Sequence, residues 1–389
     1  MAQGVYPVTR DPRRPDTYMF SFRDRQGRRH FRKGFDTKKA AEAARHQLEQ
    51  ELRDNTYIAP KDIPTFGTIA DAWLSSKSTH RPSSQSQWKV HIDHLFNPGL
   101  GFNLRTTKIN EVDVQAIEKV RDELRKKLSA TTVNKILTTA AAIFRRAMRL
   151  YPILKSNPAA LAERLRVNSG SIDERDVLSP DEVKKLLAHA DAGFGYTLLL
   201  MAILTGLRHD ELLALMWGDI ELADNGGRLY VRRSLSWAKA PSETDYKPRF
   251  FEPKTKASRR TLPLPIELVQ QLRVWKLQCP PSELGLVFPT ELGKPAHRTN
   301  VLRRYLYPAL RRAQLRQVDM HSLRHTFASA LIAAGAPVTE VQYLLGHSNP
   351  TTTLRVYSHW FKKVETSAVS NLAKSLGVGA APTRLVESE

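Results

Sequence analysis

A multi-domain fold, mainly α-helical with small β elements, is what the sequence predicts, and three observations carry it. The chain has 389 residues, too many for one simple hydrophobic core. Apolar residues recur at helical spacing over most of its length, whereas alternation is confined to residues 18–31 and to the segments "RLYVRR" and "RRTLPLP". Two polar stretches, "APKDIPT" and "RVNSGSIDERDV", have the composition of linkers. The expected division is a small sheet with a helix at 1–60, an all-helical domain at 65–162, a mixed α/β domain at 173–378, and a disordered tail at 379–389.

In the first domain Tyr18, Phe20 and Phe22 alternate with other residues, Gln26-Gly27 breaks the pattern, and His30 and Phe31 resume it, so two or three short strands are expected. Ala40, Ala44, Leu48 and Leu52 then repeat every four residues, the stripe of a helix packed on that sheet. Arg23, Arg25, Arg28, Arg29, Arg32 and Lys33 surround Asp24, either as a solvated basic face or as a small DNA-binding module.

Residues 65–162 contain three helical stripes. Phe66, Ile69, Ala70, Trp73 and Leu74 form the first, and Val114, Ile117, Val120 and Leu124 follow the capping residue Asp113. The third begins at Ser129 and buries Val133, Ile136, Leu137, Ala140, Phe144 and Ala147, leaving Lys135, Arg145, Arg146 and Arg149 on other faces, the first three as candidate DNA contacts. Pro152 and "SNP" at 156–158 end it. The last domain opens at "LSPDEV", with Ser179 as N-cap, Pro180 at the first helical position and Glu182 closing a capping box.

The formal net charge of +21 requires a large positive field and points to a polyanionic partner such as nucleic acid. A membrane surface is the other anionic partner, but no apolar run approaches the roughly 18 residues of a spanning helix, and the N-terminus lacks a secretion signal. A cytoplasmic protein is expected. The single Cys279 excludes an internal disulfide and a cysteine-cluster metal site.

Five features follow one another through the last domain. "TGLRHDELLALMW" places Arg208 and Glu211 one turn apart after Gly206, and Lys254 sits in the turn "EPKTKASRR" between two strands. "HSLRH" puts His321 and Arg324 on one helix face, "LLGHSNP" supplies His347, and "RVYSHW" supplies Tyr357. Singly, each has an ordinary reading: a helix-surface ion pair, an exposed lysine, a capping histidine, an amphipathic tyrosine.

As an ordered set they resemble the signature of the tyrosine recombinases, the phage integrase family: "TGLR..E", a hairpin lysine, "H.LRH", "LGH" and a terminal "Y.H". His209, where a small or apolar residue is commoner in that family, is the clearest departure. The resemblance implies an arm-binding-like first domain, a core-binding second domain and a catalytic third. It further implies an active site of Arg208, Lys254, His321, Arg324 and His347 with Tyr357 as nucleophile and Glu211 as supporting acid; Lys256 is the alternative lysine.

The residue types suit that chemistry. Two guanidinium forks can hold the extra charge of a pentavalent phosphate, and histidines can add hydrogen bonds or accept the phenolic proton. A phenol with an ordinary pKa of about 10 needs activation. Attack would leave a 3′-phosphotyrosyl bond and a 5′-hydroxyl, with a lysine protonating the leaving oxygen, so no metal, ATP or other cofactor is expected. Asp210, Glu211 and Asp219 lie on one segment without a partner acid in the histidine motifs, which argues against a two-metal site.

The expected function is therefore site-specific integration or excision of a phage or other mobile element, including viral genome integration. The partners are double-stranded DNA with core-type and arm-type sites, a homotetramer on DNA, and a DNA-bending accessory protein or excisionase. A type IB topoisomerase-like relaxing enzyme and a catalytically inactive DNA-binding regulator are the alternatives. Val364, Ala368, Leu372 and Leu376 form a last apolar stripe, for docking either in cis or onto a neighbouring protomer.

Overall fold

The computed structural model describes residues 4–24, 27–54, 57–96, 103–167, 176–239, 243–253, 255–357 and 375. The chain forms two compact units, Met1–Asn168 and Ser169–Glu389.

The first unit begins with an antiparallel sheet of β1 (Thr9–Asp11), β2 (Arg14–Arg23) and β3 (Arg29–Phe35), followed by α1 (Lys38–Arg53). Alternation along β2 sends Phe20 and Phe22 inward, where they meet Leu48 and Leu52 of the helix. The buried alanine of α1 is Ala41, whereas Ala40 is exposed. The expected stripe is thus corrected by one position at its start, because a strict spacing of four drifts off the face of a 3.6-residue helix, which brings Ala41 and not Ala40 into line with Leu48.

A second core in the same unit gathers α2 (Phe66–Ser75), α3 (Pro82–Leu95), α4 (Val114–Arg125), α5 (Ala130–Leu150) and the single turn α6 (Pro158–Leu161). Asp113 and Ser129 accept hydrogen bonds from the Ala116 and Thr132 amides, at 2.7 and 3.3 Å, and so start α4 and α5. All six apolar residues read for α5 are buried.

The second unit opens with α7 (Pro180–Ala188), where Ser179 and Glu182 form the reciprocal capping box. The next helix, α8 (Phe194–Thr205), is apolar on every side and runs through the main core, as such a helix must. After the short α9 (His209–Leu212) come β4 (Ile220–Ala223) and β5 (Gly226–Val231), then the hairpin β6 (Ser234–Ala238) with β7 (Lys247–Phe251), and β8 (Arg260–Leu264). β8 returns to pair with β5, Leu229 opposite Leu262, so the β6–β7 hairpin is inserted between two neighbouring strands. The helices α10 (Ile266–Gln278), α11 (Arg298–Val301), α12 (Tyr307–Arg312), α13 (Met320–Ala333), α14 (Val338–Leu345) and α15 (Pro350–Tyr357) complete the unit. Among the described residues no helix is long and apolar enough to cross a membrane.

Gly206 ends α8 in the left-handed region, with φ of 58°, and an added Cβ would lie 2.2 Å from Cδ1 of Phe327 on α13. That clearance lets the carbonyl of Gly206 reach Arg324. Gly206→Ala is expected to cost about 2–4 kcal/mol from overpacking and backbone strain. A calorimetric melt with an unshifted midpoint would show that α8 and α13 do not pack this closely.

Candidate active site

Six of the seven catalytic positions read from the sequence fall within the described residues, and all six lie in the second unit; Lys254 lies outside them. Arg208 precedes α9 and Glu211 ends its first turn. Asp319 caps α13 through the His321 and Ser322 amides, at 2.8 and 2.9 Å, and so aligns the helix that carries His321 and Arg324. His347 follows the left-handed Gly346 that closes α14, and Tyr357 ends α15.

The C-terminus of α14 draws these pieces together. The last carbonyls of a helix have no intrahelical donors and carry partial negative charge. Here three consecutive ones each accept from a different arginine: Leu344 from Arg260 Nε at 2.7 Å, Leu345 from Arg324 Nη2 at 2.5 Å, and Gly346 from Arg208 Nη2 at 3.3 Å. Arg324 also donates to the Gly206 carbonyl at 2.7 Å.

Glu211 completes the cluster. Its Oε1 accepts from Arg208 Nη1 at 2.8 Å and Arg260 Nη1 at 3.3 Å, while Oε2 accepts from Arg260 Nη2 at 3.0 Å and the Arg208 amide at 3.1 Å. Burial alone would raise this carboxyl, but Arg260 and Arg208 outweigh it and hold Glu211 below its ordinary value. Arg324 is 2% exposed, and burial, with Arg208 beside it, pushes it down to about 9, which leaves it charged at neutral pH. The Arg208 side chain keeps 37% exposure and is the one of the three that faces solvent.

Tyr357 is 1% exposed, with its ring packed against Ala328, Ile332, Val341 and Leu345. Its hydroxyl lies 2.7 Å from Nδ1 of His325, which accepts the phenolic proton in the tautomer protonated at Nε2. Burial pushes the phenol up to about 12, against the pull of Arg324, and pushes His325 down to about 4. His347, bonded through Nδ1 to Thr353 at 2.9 Å, is pushed down to about 3 by burial and then by Arg324 and Arg208. Burial and Arg324 lower His321 too, and its ring stands edge-to-face with that of His325, centroids 4.5 Å apart. The site as it stands therefore pairs neutral imidazoles and a protonated phenol with permanent guanidinium charge.

Residues 176–363 match the family model described as the phage integrase family. A tyrosine recombinase XerC-like protein of Caldanaerobacter subterraneus is 28% identical over 359 residues, covering 86% of this chain and 89% of the relative. An integrase of Streptomyces ambofaciens is 28% identical over 371 residues, 89% of each chain. The chain belongs to the tyrosine recombinases. In fold it is similar to the Tn1549 transposon integrase solved with a circular intermediate DNA, with a TM-score of 0.65 at 18% identity over 80% of this chain and 99% of that one. A lambda integrase tetramer bound to a Holliday junction gives a TM-score of 0.57 at 16% identity, over 88% and 96%.

Two residues of the recombinase's centre were not assigned from the sequence. His325 sits inside the quoted motif, one turn beyond His321, and that spacing was the available signal. Arg260 starts β8 and points inward with Leu262 and Leu264; an arginine at an inward position of an alternating strand was its signal. The three carboxylates weighed as metal ligands face separate groups. Glu211 binds two arginines, Asp219 accepts from Arg233 and the Met216 amide, and burial raises Asp210. Cys279 caps the end of α10, and its thiol is raised by burial.

Among the basic residues, Arg28 is engaged by Asp24 at 2.9 Å and Asp62 at 3.5 Å, and Arg23 donates to the Gly27 carbonyl at 3.1 Å. Arg29 lies over the rings of Tyr6 and Phe31, 5.2 Å from each, and Lys33 is 5.4 Å from the Phe31 ring. Arg32, Lys135 and Arg145 are exposed, while Arg146 is half-buried; Arg25 falls outside the described residues, as do Val364, Ala368, Leu372, Leu376 and the tail.

The imidazoles fix a pH dependence. His209, pushed by burial to about 4, joins His325 and His347 as rings kept neutral in the fold, whereas in the unfolded chain they titrate near 6.5. Below that value the unfolded chain binds protons that the folded one refuses, so stability is complete above it and declines as pH falls toward about 4. The melting midpoint at about pH 5 should lie several degrees below that at about pH 7.5. Equal midpoints would mean that these rings are not desolvated.

Proposed function

We propose that this tyrosine recombinase carries out site-specific integration or excision of a phage or other mobile element by cleaving and rejoining DNA through Tyr357. The observation that carries the reading is the convergence of Arg208, Arg324 and His347 on the C-terminus of α14, with Tyr357 bonded to the helix that holds Arg324 and His321. One carboxylate set against three guanidinium groups leaves an excess of two positive charges, of which one phosphodiester would offset one.

In the proposed step the Tyr357 oxygen attacks phosphorus in line, the bond to the 5′ oxygen breaks, and a 3′-phosphotyrosyl bond forms. The phenolic proton passes to an imidazole, for which His325 is already in contact, and the departing oxygen takes a proton from the lysine of the β7–β8 loop, Lys254 or Lys256. Reversal by a 5′-hydroxyl of another strand reseals the DNA, because one ester is exchanged for another. The ring is almost wholly buried, so attack requires it to leave its apolar bed. Arg208, Arg324, His321 and His347 bind the non-bridging oxygens, and Glu211 holds Arg208.

In the same reading residues 1–60 form an arm-site module, 65–162 clamp core DNA through Lys135, Arg145 and Arg146, and 173–378 catalyse, as a homotetramer on DNA. The basic sheet that displays Arg29, Arg32, Lys33 and the half-exposed Phe31 supports the first role. Accessory DNA-bending proteins would bring arm and core sites together.

Tyr357→Phe should abolish covalent protein–DNA adducts while DNA affinity stays within about tenfold, since one hydrogen bond worth about 1 kcal/mol is lost. Adducts that persist in a denaturing gel would remove Tyr357 as nucleophile. Arg208→Lys should slow single-turnover cleavage by about 100-fold or more, because an ammonium cannot reproduce the fork. A near-native rate would transfer the phosphate contact to another group.

A further inference from the structure

We infer that Arg260 is a positioning residue for strand exchange, acting on Arg208 through the carboxylate they share. The inference rests on the proposed phosphate contact of Arg208. The Arg260 side chain has 0% exposure, and its Nε, Nη1 and Nη2 all already donate to protein oxygens, so it is committed to the protein and not to DNA. It grips both oxygens of Glu211 and the Leu344 carbonyl, and its Nη1 reaches the Ser258 carbonyl at 3.3 Å. Arg208 hangs from the same two supports, Glu211 and the end of α14. A Cβ on Gly346 would lie 2.8 Å from Arg260 Nη1, so the glycine that ends α14 also makes room for this side chain.

Charge accounts for the arrangement. A lone Glu211 would pair one to one with Arg208 and cancel the contribution of that arginine to the field that a phosphate meets. Bound in fork geometry by Arg260, the carboxylate has its charge met from behind, so it orients Arg208 without neutralising it. Arg260 also ties the first residue of β8, and with it the end of the β7–β8 loop, to the phosphate site.

The test is single-turnover cleavage of a duplex spanning the attachment junction beside the gene, with either a normal scissile phosphate or a methylphosphonate, which carries one negative charge fewer. Arg260→Met should slow cleavage of the phosphate by about tenfold or more, with DNA affinity within about threefold, and should add little to the defect of Arg208→Ala in the double variant. On the methylphosphonate its deficit should shrink together with that of Arg208→Ala. Equal deficits on both substrates, or independent multiplication of the two defects, would overturn the inference. Arg260→Lys, which keeps the charge without the fork, should fold and recover part of the rate; failure of both variants to fold would make the role purely structural and also overturn it. A native cleavage rate in Arg208→Ala would instead refute the assignment of Arg208, whatever Arg260 does.

Discussion

Three guanidinium groups share one small region of this protein, and what lets them do so is the end of a single helix. Like charges at such separations repel strongly in a poorly hydrated setting. The C-terminus of α14 offers about half a negative charge and three consecutive carbonyls without intrahelical donors, and Glu211 adds a full charge. Gly346, in the left-handed conformation, turns the chain so that these carbonyls face inward and His347 follows at once. Remove that terminus and the cluster has no common anchor.

The same burial that concentrates the cations keeps their neighbours neutral. His325 and His347 are pushed far below physiological pH and Tyr357 above it, so the resting centre holds its protons on oxygen and its charge on arginine. A phosphodiester entering this environment supplies the missing negative charge without any change in protonation. The tyrosine, by contrast, begins in an apolar bed formed by α13 and α14, which separates holding the nucleophile from using it.

Much of the centre was legible because the motifs are local. His321 and Arg324 are three residues apart on one helix, and Arg208 and Glu211 are the cap and third residue of another, so local geometry alone brings each pair together. The same holds for the apolar stripe of α5 and the capping box at Ser179. For Arg260 and His325 the local pattern marks the residue but not its role, since the partners that define it are 49 and 32 residues away. The first member of the α1 stripe is Ala41 and not Ala40, because a strict spacing of four drifts off the face of a 3.6-residue helix.

By itself the sequence determined the local chemistry: which side chains are permanently charged, where helices begin and end, and which motifs occur in which order. Those properties depend on neighbours within a turn or two of the backbone. Only the tertiary structure decided that three arginines, from the cap of α9, from β8 and from α13, meet at one helix end, and that the phenol rests on an imidazole. Convergence of distant segments is set by how α8, α13 and α14 pack, and packing is a property of the whole core.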